Sequence, residues 1–449
     1  MNKLNEVSSV SMLGNSDSIL AVAGNKVSRI SVADIRSTLV NDDNVVLSEF
    51  GFYMDINTPS AKGAQYVDHG GNEHIRSVWE GEHKGVLMDK NGNYTPLNPS
   101  DFRYLTNGEP IIDMEAGTIL DKWKNCDVMV IGPKTYGCIQ TVTEGSTTKE
   151  RLWLSLVPLP KGFTIPQMVV GKFPASLVDG VLRSLPGMVT ADSKNINQFW
   201  DAAQKRSKSH GLTDNNYRMR LLFHMMSKYG WRDSQNCKTA DGTLVWGVGL
   251  DGTESKGTDK FACQKNIKTG CTLSLGNADG KVAVADSDGN IVHDVNVLCS
   301  ERPWGQKWEM GQGLCSVGDV VYAWNSNVMP TGTPTAATFA NIDHVELTRM
   351  ATESNTFKLS IIASDKGQGV YLVPTAVDAG LNWGDHYYYN KNGQLWLFGG
   401  SSNSGSYLGL ACSHSYAVWS YSYANVSARL AYYGNIEEVS PTRLAELAA

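Results

Sequence analysis

The sequence lacks any long hydrophobic run. Its 449 residues contain no apolar stretch of the roughly 18 residues that a membrane-spanning helix requires. The apolar stretch near the N-terminus, Ile19 to Ala23, is also too short for the core of a signal peptide. We therefore expect no membrane insertion and no export signal, so that the protein stays in the cytoplasm or leaves it inside an assembled particle.

Charged residues and cysteine pairs are scarce as well. Charged residues make up 19% of the chain, below the usual quarter, and 39 basic against 45 acidic residues give a net charge of −6. A nucleic-acid-binding protein carries a basic patch and a raised isoelectric point, so we expect no nucleic-acid partner. The eight cysteines include no Cys-x-x-Cys pair. Because a zinc site needs about four clustered ligands, we expect no metal ion, and no motif indicates a cofactor.

Recognisable catalytic motifs are also missing. The sequence contains no Gly-x-Ser-x-Gly elbow, no His-Glu-x-x-His helix and no phosphate-binding loop. We therefore expect a protein that is not an enzyme. Paired carboxylates for glycoside cleavage would leave no local motif, because the two residues can lie far apart in the sequence. A glycan depolymerase therefore stays open as an alternative.

Glycine and tryptophan, in contrast, are abundant, with 44 and 12 residues respectively. Many turns and many aromatic anchors favour a β-rich protein over a helical bundle. Two hairpins are predicted, one around Gly24-Asn25 and one around Asn91-Gly92, because such dipeptides between apolar runs form tight turns. A short capped helix is predicted over Ser31 to Arg36.

Two longer helices are predicted in the middle of the chain. The first covers residues 195–209 and ends where Gly211 stops it. The second begins after Thr213 or Asp214, either of which can cap it, and ends at Gly230. Its apolar stripe has helical spacing and consists of Leu221, Leu222, Met225, Met226 and Tyr229.

One segment differs from the rest of the chain, because residues 397–428 contain no Asp, Glu, Lys or Arg. Within residues 401–427, nine serines, four tyrosines and two asparagines make up more than half of the positions. Antibody binding loops have a similar composition, since Tyr gives a rigid contact area while Ser, Gly and Asn adapt their hydrogen bonds. The segment is therefore predicted to form a binding surface.

The order of motifs from about residue 150 onward resembles a known family. The matching stretches are Ile165-Pro166, Val170-Gly171-Lys172-Phe173, Arg183-Ser184-Leu185-Pro186-Gly187, the stretch from Lys228 to Gln235, the stretch from Arg302 to Glu309, Leu397-Phe398-Gly399-Gly400-Ser401, the stretch from Gly405 to Leu410, and Ala428-Arg429-Leu430. Together they resemble the C-type lectin fold domain of diversity-generating retroelement variable proteins. Those proteins are relatives of the formylglycine-generating enzyme and are often phage receptor-binding proteins.

The resemblance implies the fold of about the C-terminal two thirds of the chain, whereas the divisions before residue 116 are predicted from the local turn and hairpin signals. We expect an α+β protein whose C-terminal C-type lectin fold, a mixed β structure with two helices, follows a small β-rich N-terminal region. The expected divisions are a virion-attachment segment at 1–45, a small β domain at 46–115, the lectin-fold domain at 116–434 and a tail at 435–449. In the family, the stretch that corresponds to residues 397–430 is the variable region and forms the ligand-binding face.

The resemblance also implies the site residues, with Trp419 as a possible anchor. The candidate ligand-binding residues are Ser402, Asn403, Ser404, Tyr407, Ser413, His414, Ser415, Tyr416, Trp419, Tyr421 and Tyr423. Calcium-dependent sugar binding is not expected, because Trp383-Gly384-Asp385 lacks the middle Asn of the lectin motif and no Glu-Pro-Asn occurs. Oxidase chemistry is not expected either, since Cys412 stands alone in its region.

The predicted function is host adhesion by a phage receptor-binding protein on the virion surface. Its expected partners are a bacterial surface receptor, either glycan or protein, and other virion proteins that contact the N-terminal region. The family implies a homotrimer. A purely structural fibre or decoration protein is the second alternative, and it predicts that the Ser/Tyr surface is buried against a neighbouring subunit.

Overall fold

The computed structural model describes residues 47–247, 267–286, 289, 291–324, 327–360, 370–402 and 404–449, together with the backbone of two strands before residue 47. Within these residues the helices are α1 (Leu47–Phe50), α2 (Glu73–Gly81), α3 (Ile196–Gln204), α4 (Asn215–Tyr229) and α5 (Pro441–Ala448). The predicted short helix at Ser31 to Arg36 falls almost wholly outside the described residues.

The strands are short and numerous. In chain order they are β1 (Ser18–Ala23), β2 (Lys26–Ser31), β3 (Phe52–Asp55), β4 (His69–Gly71), β5 (Lys84–Met88), β6 (Asn93–Asn98), β7 (Asp101–Leu105), β8 (Asp127–Gly132), β9 (Thr135–Glu144), β10 (Thr147–Ser155), β11 (Phe163–Ile165), β12 (Met168–Gly171), β13 (Ser176–Val178), β14 (Val181–Arg183), β15 (His210–Leu212), β16 (Gly280–Ala285), β17 (Ile291–Val297), β18 (Ser300–Glu301), β19 (Trp308–Val317), β20 (Val320–Ala323), β21 (Val345–Thr348), β22 (Phe357–Ser360), β23 (Val373–Val377), β24 (Tyr387–Tyr389), β25 (Leu395–Phe398), β26 (Ser413–Ala417), β27 (Val426–Ala428), β28 (Leu430–Tyr432) and β29 (Glu437–Glu438).

The expected fold class, α+β with a C-type lectin fold built on two helices, is wrong. Strands account for 38% of the described residues and helices for 16%, so this part of the chain is mostly β-sheet. The two helices predicted in the middle of the chain do form, but the first ends at Gln204 rather than at residue 209, and Gly211 lies in strand β15. Many of the described residues around the two helices form strands. Several of these strands pair with partners far away in the sequence, as β12 and β15 do with β28, and local helix signals give no information about such pairing.

Three sheets make up most of the described fold. Sheet I has the strand order β11-β9-β10-β3-β4, and sheet II has the order β15-β28-β12-β8-β5-β6-β29, with β7 on β6. Sheet III has the order β21-β20-β19-β25-β26-β24, with β27 on β19. Sheets I and II both take strands from each side of residue 115, since β3 pairs with β10 and β5 pairs with β8. Residues 46–115 therefore share their sheets with the following part of the chain.

The local signals in the sequence correspond to real elements. Strands β1 and β2 pair antiparallel, and so do β5 and β6 on either side of Gly92, which adopts a φ of 93°. Both hairpin predictions are confirmed. Asp214 caps α4 by accepting a hydrogen bond from the backbone N–H of Tyr217, and Gly230 ends the helix in the left-handed conformation.

Helix α4 is buried along nearly its whole length, and buried hydrogen bonds hold the segment that follows it. Arg232 is fully buried, and its guanidinium donates to the main-chain carbonyls of Asp55 (3.0 Å) and Thr58 (2.8 Å). A buried guanidinium is stable only where its N–H groups have acceptors. These bonds therefore set the position of residues 233–235, which lie next to the surface described below.

Within the described residues, no helix is both long and apolar enough to cross a membrane.

Candidate functional site

Strand β26 presents the candidate surface at one end of sheet III. It lies between β25, with which it pairs antiparallel, and β24, with which it pairs in parallel. Successive side chains on a strand point to opposite faces. Ser413, Ser415 and Ala417 accordingly point into the core, whereas His414 is partly exposed and Tyr416 is 49% exposed. The aromatic side chains of this strand therefore face outward.

Five rings follow one another across this outward face, and we call them the ring row. Their centroids are separated by 4.8 Å from Tyr407 to His386, 4.4 Å from His386 to Tyr388, 6.1 Å from Tyr388 to His414, and 5.2 Å from His414 to Tyr416. The two rings at the ends of the row are about half exposed, Tyr407 by 46% and Tyr416 by 49%. Rings at these separations support one another as tilted pairs.

Trp308 supports the ring row from the core side. It is buried, and its ring centroid lies 5.1 Å from that of His414 and 6.2 Å from that of Tyr388. The backbone N–H of Trp308 also donates to the carbonyl of Asn425 at 2.8 Å. The row thus rests on a large buried aromatic side chain rather than on a mobile loop.

A second pair of exposed rings, which we call the ring pair, consists of Tyr421 and Tyr423. Their centroids are 4.8 Å apart, and Tyr423 is 65% exposed. The Tyr421 hydroxyl donates to Oδ1 of Asn425 at 3.3 Å. Since the carbonyl of Asn425 accepts from Trp308, this one residue links the ring pair to the support of the ring row.

The histidines of the ring row are neutral near pH 7. Burial lowers the pKa of His414 to about 4, and burial also lowers the pKa of His386. Nδ1 of His414 accepts a hydrogen bond from the backbone N–H of Tyr416 at 3.1 Å, so Nε2 carries the proton. Burial raises the pKa of Tyr388 as well. The ring row is therefore an uncharged surface of phenol and imidazole groups.

The loop that carries Tyr407 is held by Gln235. The side-chain Nε2 of Gln235 donates to the carbonyls of Gly405 and Leu408, each at 3.0 Å. Gln235 itself is buried. The two bonds close the loop on either side of Tyr407, so its ring is presented by a fixed backbone.

A second set of hydrogen bonds holds the same loop at its C-terminal end. Oγ of Ser234 accepts from the backbone N–H of Leu410 at 2.9 Å and donates to Asp385 at 2.9 Å. The same carboxylate oxygen of Asp385 accepts from the backbone N–H of Ala411 at 2.9 Å. Burial and the nearby Asp233 raise the pKa of Asp385 well above its ordinary value. Sequence reasoning considered Asp385 only as a departure from a lectin calcium motif.

The structure separates the sequence-predicted residues into three groups and leaves one aside. The exposed ones are Tyr407, Tyr416 and Tyr423, and the partly exposed ones are Ser404, His414 and Tyr421. The buried ones are Ser402, Ser413, Ser415 and Trp419. Asn403 lies outside the described residues.

The buried members contact the scaffold. Oγ of Ser415 lies 3.1 Å from the hydroxyl of Tyr387, inside the core. Trp419 is 3% exposed, and its indole N–H donates to Oδ1 of Asn197 at 2.6 Å. This places Trp419 in the framework beneath the surface, next to the start of α3, rather than at an exposed anchor position.

Sequence reasoning missed His386 and Tyr388, which complete the ring row. Both lie outside residues 397–430, and only the pairing of β24 with β26 brings them to the surface. The signal available in the sequence is the aromatic run from His386 to Tyr389, in which alternate residues of a strand share a face. That signal gives no partner strand, so it could not join the two segments.

One group of side chains elsewhere has the composition of a metal site. Glu80, His224 and Asp279 place their ligand atoms within 4.8 Å of one another. However, the ammonium of Lys228 lies between the carboxylates, pairing with Glu80 and contacting Asp279 at 3.0 Å, and the hydroxyl of Tyr229 donates to Asp279 at 2.8 Å. These cationic and hydroxyl donors already satisfy the negative charge, so the group functions as a buried ion-pair network.

A polar cleft of about 300 Å³ opens on sheet I. Its central Lys149 pairs with Asp55 (3.3 Å), Asp68 (3.4 Å) and Glu144 (3.0 Å). Burial opposes ionisation of Asp68, but hydrogen bonds from Ser60 and Lys149 lower its pKa, and the hydrogen bond from Lys149 also lowers the pKa of Glu144. A glycosidase acid needs a raised pKa, and these two carboxyl groups have the opposite shift.

The chain matches no protein-family model and no curated protein.

Proposed function

We propose that this protein is a receptor-binding protein of a phage virion, and that the ring row and the ring pair bind a bacterial surface receptor. The motif order that resembles phage receptor-binding variable proteins supports the virion setting. In this proposal recognition involves no chemical reaction, and the receptor is a surface glycan or a surface protein.

The observation that carries the proposal is the exposure of large, uncharged rings on a fixed backbone. Tyr407, Tyr416 and Tyr423 are each about half exposed or more, although a tyrosine ring would gain free energy from burial. Tyrosines dominate binding surfaces because they bring a large contact area with few rotatable bonds to immobilise. The buried support from Trp308 and Gln235 lowers the ordering cost further, because the rings are already in place.

Uncharged rings also suit a ligand that presents hydroxyl groups and apolar ring faces. The phenol hydroxyls and the Nε2–H of His414 are donors, and no ammonium, guanidinium or carboxylate belongs to the ring row. A single contact of this kind is weak. Several copies on one particle would raise the overall affinity, since the later contacts become intramolecular.

The experiment is a binding assay of the fluorescently labelled full chain on whole cells of a panel of bacterial strains. Tyr416→Ala and Tyr407→Ala should each reduce binding to the recognised strain by about tenfold or more, as expected for central aromatic contacts. Ile139→Ala is the matched control, because it also removes an exposed apolar side chain but lies on sheet I. Equal binding by all three variants would contradict the proposal.

Diversification of residues 397–430 has a separate test in the DNA beside the gene. A retroelement would place there a reverse-transcriptase gene and a near-copy of the coding stretch, with differences at adenines of the template. Their absence would leave a receptor-binding protein with a fixed surface.

A further inference from the structure

The buried lysine Lys172 has no carboxylate partner within ion-pair distance among the described residues. Its Nζ is held by Oδ1 of Asn296 at 2.8 Å and by the carbonyl of Cys299 at 3.0 Å. The rings of Phe102 and Phe173 lie 5.0 and 6.0 Å from Nζ. A buried ammonium is normally paired with a carboxylate, because an isolated buried charge is very unfavourable. Burial accordingly lowers the pKa of Lys172 to about 8, so more of the amine is neutral near pH 7 than in an ordinary lysine.

The carboxamide of Asn296 is oriented toward this amine. Its Nδ2 donates to the carbonyl of Ala278 at 2.7 Å, which leaves Oδ1 directed at Lys172. Since Oδ1 and Cγ are joined by a bond of about 1.2 Å, Nζ lies at most about 4 Å from Cγ. Small side-chain movements therefore bring the amine into the range of about 3–3.5 Å from which bonds form.

A buried carboxyl group completes the cluster. Glu301 lies directly opposite Asn296 in the pairing of β17 with β18, and its backbone N–H donates to the carbonyl of Lys172 at 2.8 Å. Oγ1 of Thr272 lies 2.9 Å from Oε2 of Glu301 and 3.5 Å from Oδ1 of Asn296. Burial and the nearby Asp294 raise the pKa of Glu301, and the backbone N–H groups of Gly270 and Thr272 donate to its two carboxyl oxygens at 2.8 and 2.9 Å.

We infer that Lys172 and Asn296 form an intramolecular isopeptide bond after folding, with Glu301 acting through Thr272 as the acid. The lone pair of Nζ attacks Cγ of Asn296, and the Cγ–Nδ2 bond breaks. A proton from Nζ is transferred to the departing nitrogen, so that one ammonia leaves and one amide forms. No oxidant, reductant or other reactant is needed. The Glu301 proton, relayed by the Thr272 hydroxyl, stabilises the charge that develops on Oδ1.

The bond would join the end of β12 to β17 across 124 residues of chain. It would lie in the core between sheet II and the segment that precedes β19. Such a crosslink fits a dry site, because water would compete with the amine for the carboxamide. Thr272, Glu301, Lys172 and Asn296 are all fully or almost fully buried.

The test is mass spectrometry of the denatured full chain, followed by tryptic mapping. We expect a mass lower than that of the sequence by one ammonia, and a branched peptide that joins residues 162–183 to residues 282–307. Succinimide formation at Asn91-Gly92 would cause the same mass loss, so the branched peptide is the deciding observation. A chain with the full mass, or separate linear peptides that contain Lys172 and Asn296, would overturn the proposal.

Variants separate the reaction from its surroundings. Lys172→Met and Asn296→Ala should each abolish the mass loss and the branched peptide. Lys307→Met is the matched control, because Lys307 is also buried but pairs with the carboxylate of Asp192, and it should retain the loss. Glu301→Gln, checked for folding by circular dichroism, should remain mostly unlinked. Full linkage in a folded Glu301→Gln chain would overturn the role assigned to that carboxyl group.

Discussion

Replacing Trp419 by Ala should destabilise the protein severely, whereas replacing Tyr416 by Ala should not. Both residues belong to the same charge-free segment, and both are aromatic. Trp419 is 3% exposed and packs in the core beneath sheet III, where truncation of a large aromatic side chain costs about 3–5 kcal/mol. The loss of its hydrogen bond to Asn197 is included in this range, since Asn197 is partly exposed and water can replace the indole.

Tyr416 gives the contrasting case. Its side chain is 49% exposed, and its ring packs against that of His414. Truncation of a half-exposed ring with one neighbouring ring should cost about 1 kcal/mol or less. The difference between the two variants should therefore be at least about 2 kcal/mol in the free energy of unfolding.

Urea unfolding followed by tryptophan fluorescence and circular dichroism measures this difference. The midpoint for Trp419→Ala should fall well below that of the wild type, with a similar slope, because the exposed area on unfolding changes little. Trp419→Phe should recover part of the loss. If Tyr416→Ala were the more destabilised variant, the assignment of Tyr416 to the surface and Trp419 to the framework would be wrong.

Three further outcomes are expected. Burial lowers the pKa of His210 to about 4 from an unfolded value near 6.5, so the free energy of unfolding is highest above pH 6.5 and declines by up to about 3 kcal/mol as the pH falls toward 4. The urea midpoint of His210→Gln should therefore depend less on pH over this window than the midpoint of the wild type. Gln235→Ala removes the donor to two main-chain carbonyls, so the free energy of unfolding should fall by about 1–2 kcal/mol and the amides around Tyr407 should exchange hydrogen faster. Unchanged exchange at these amides would contradict the role of Gln235 in holding the loop. Because His414 stays neutral until the pH approaches 4, cell binding should be constant from about pH 8 to 5.5 and weaken near pH 4. A change in binding centred near pH 6.5 would contradict the burial of the His414 ring.

The elements that the sequence predicts well are those with local causes. The Asn91-Gly92 turn needs only its own two residues and the apolar runs beside it, and the cap at Asp214 needs only the next turn of the helix. Such signals are independent of the rest of the fold. They do not show how much of the chain is sheet, because strands such as β3 and β12 also pair with partners far away in the sequence, β10 and β28.

Which side chains of the candidate surface point into the core and which point to solvent is harder to predict, for a different reason. On β26 the small hydroxyl residues Ser413 and Ser415 point inward, while the large rings of His414 and Tyr416 point outward. Hydrophobic alternation predicts the reverse orientation. The inward serines are accommodated because the core side of β26 is already filled by large side chains, including Tyr387, whose hydroxyl meets that of Ser415.

This inversion bears directly on recognition. A core normally takes the large apolar side chains of a strand, because their burial is the main source of stability. On β26 the side chains beneath the serines come from elsewhere, among them Tyr387, so the strand's own rings are not needed there. Of the outward positions, Tyr416 can therefore change with little loss of packing, whereas His414 also contacts Trp308 and Tyr388. The receptor-binding function proposed above would use this separation of stability from contact, and the inward serines would be its structural basis.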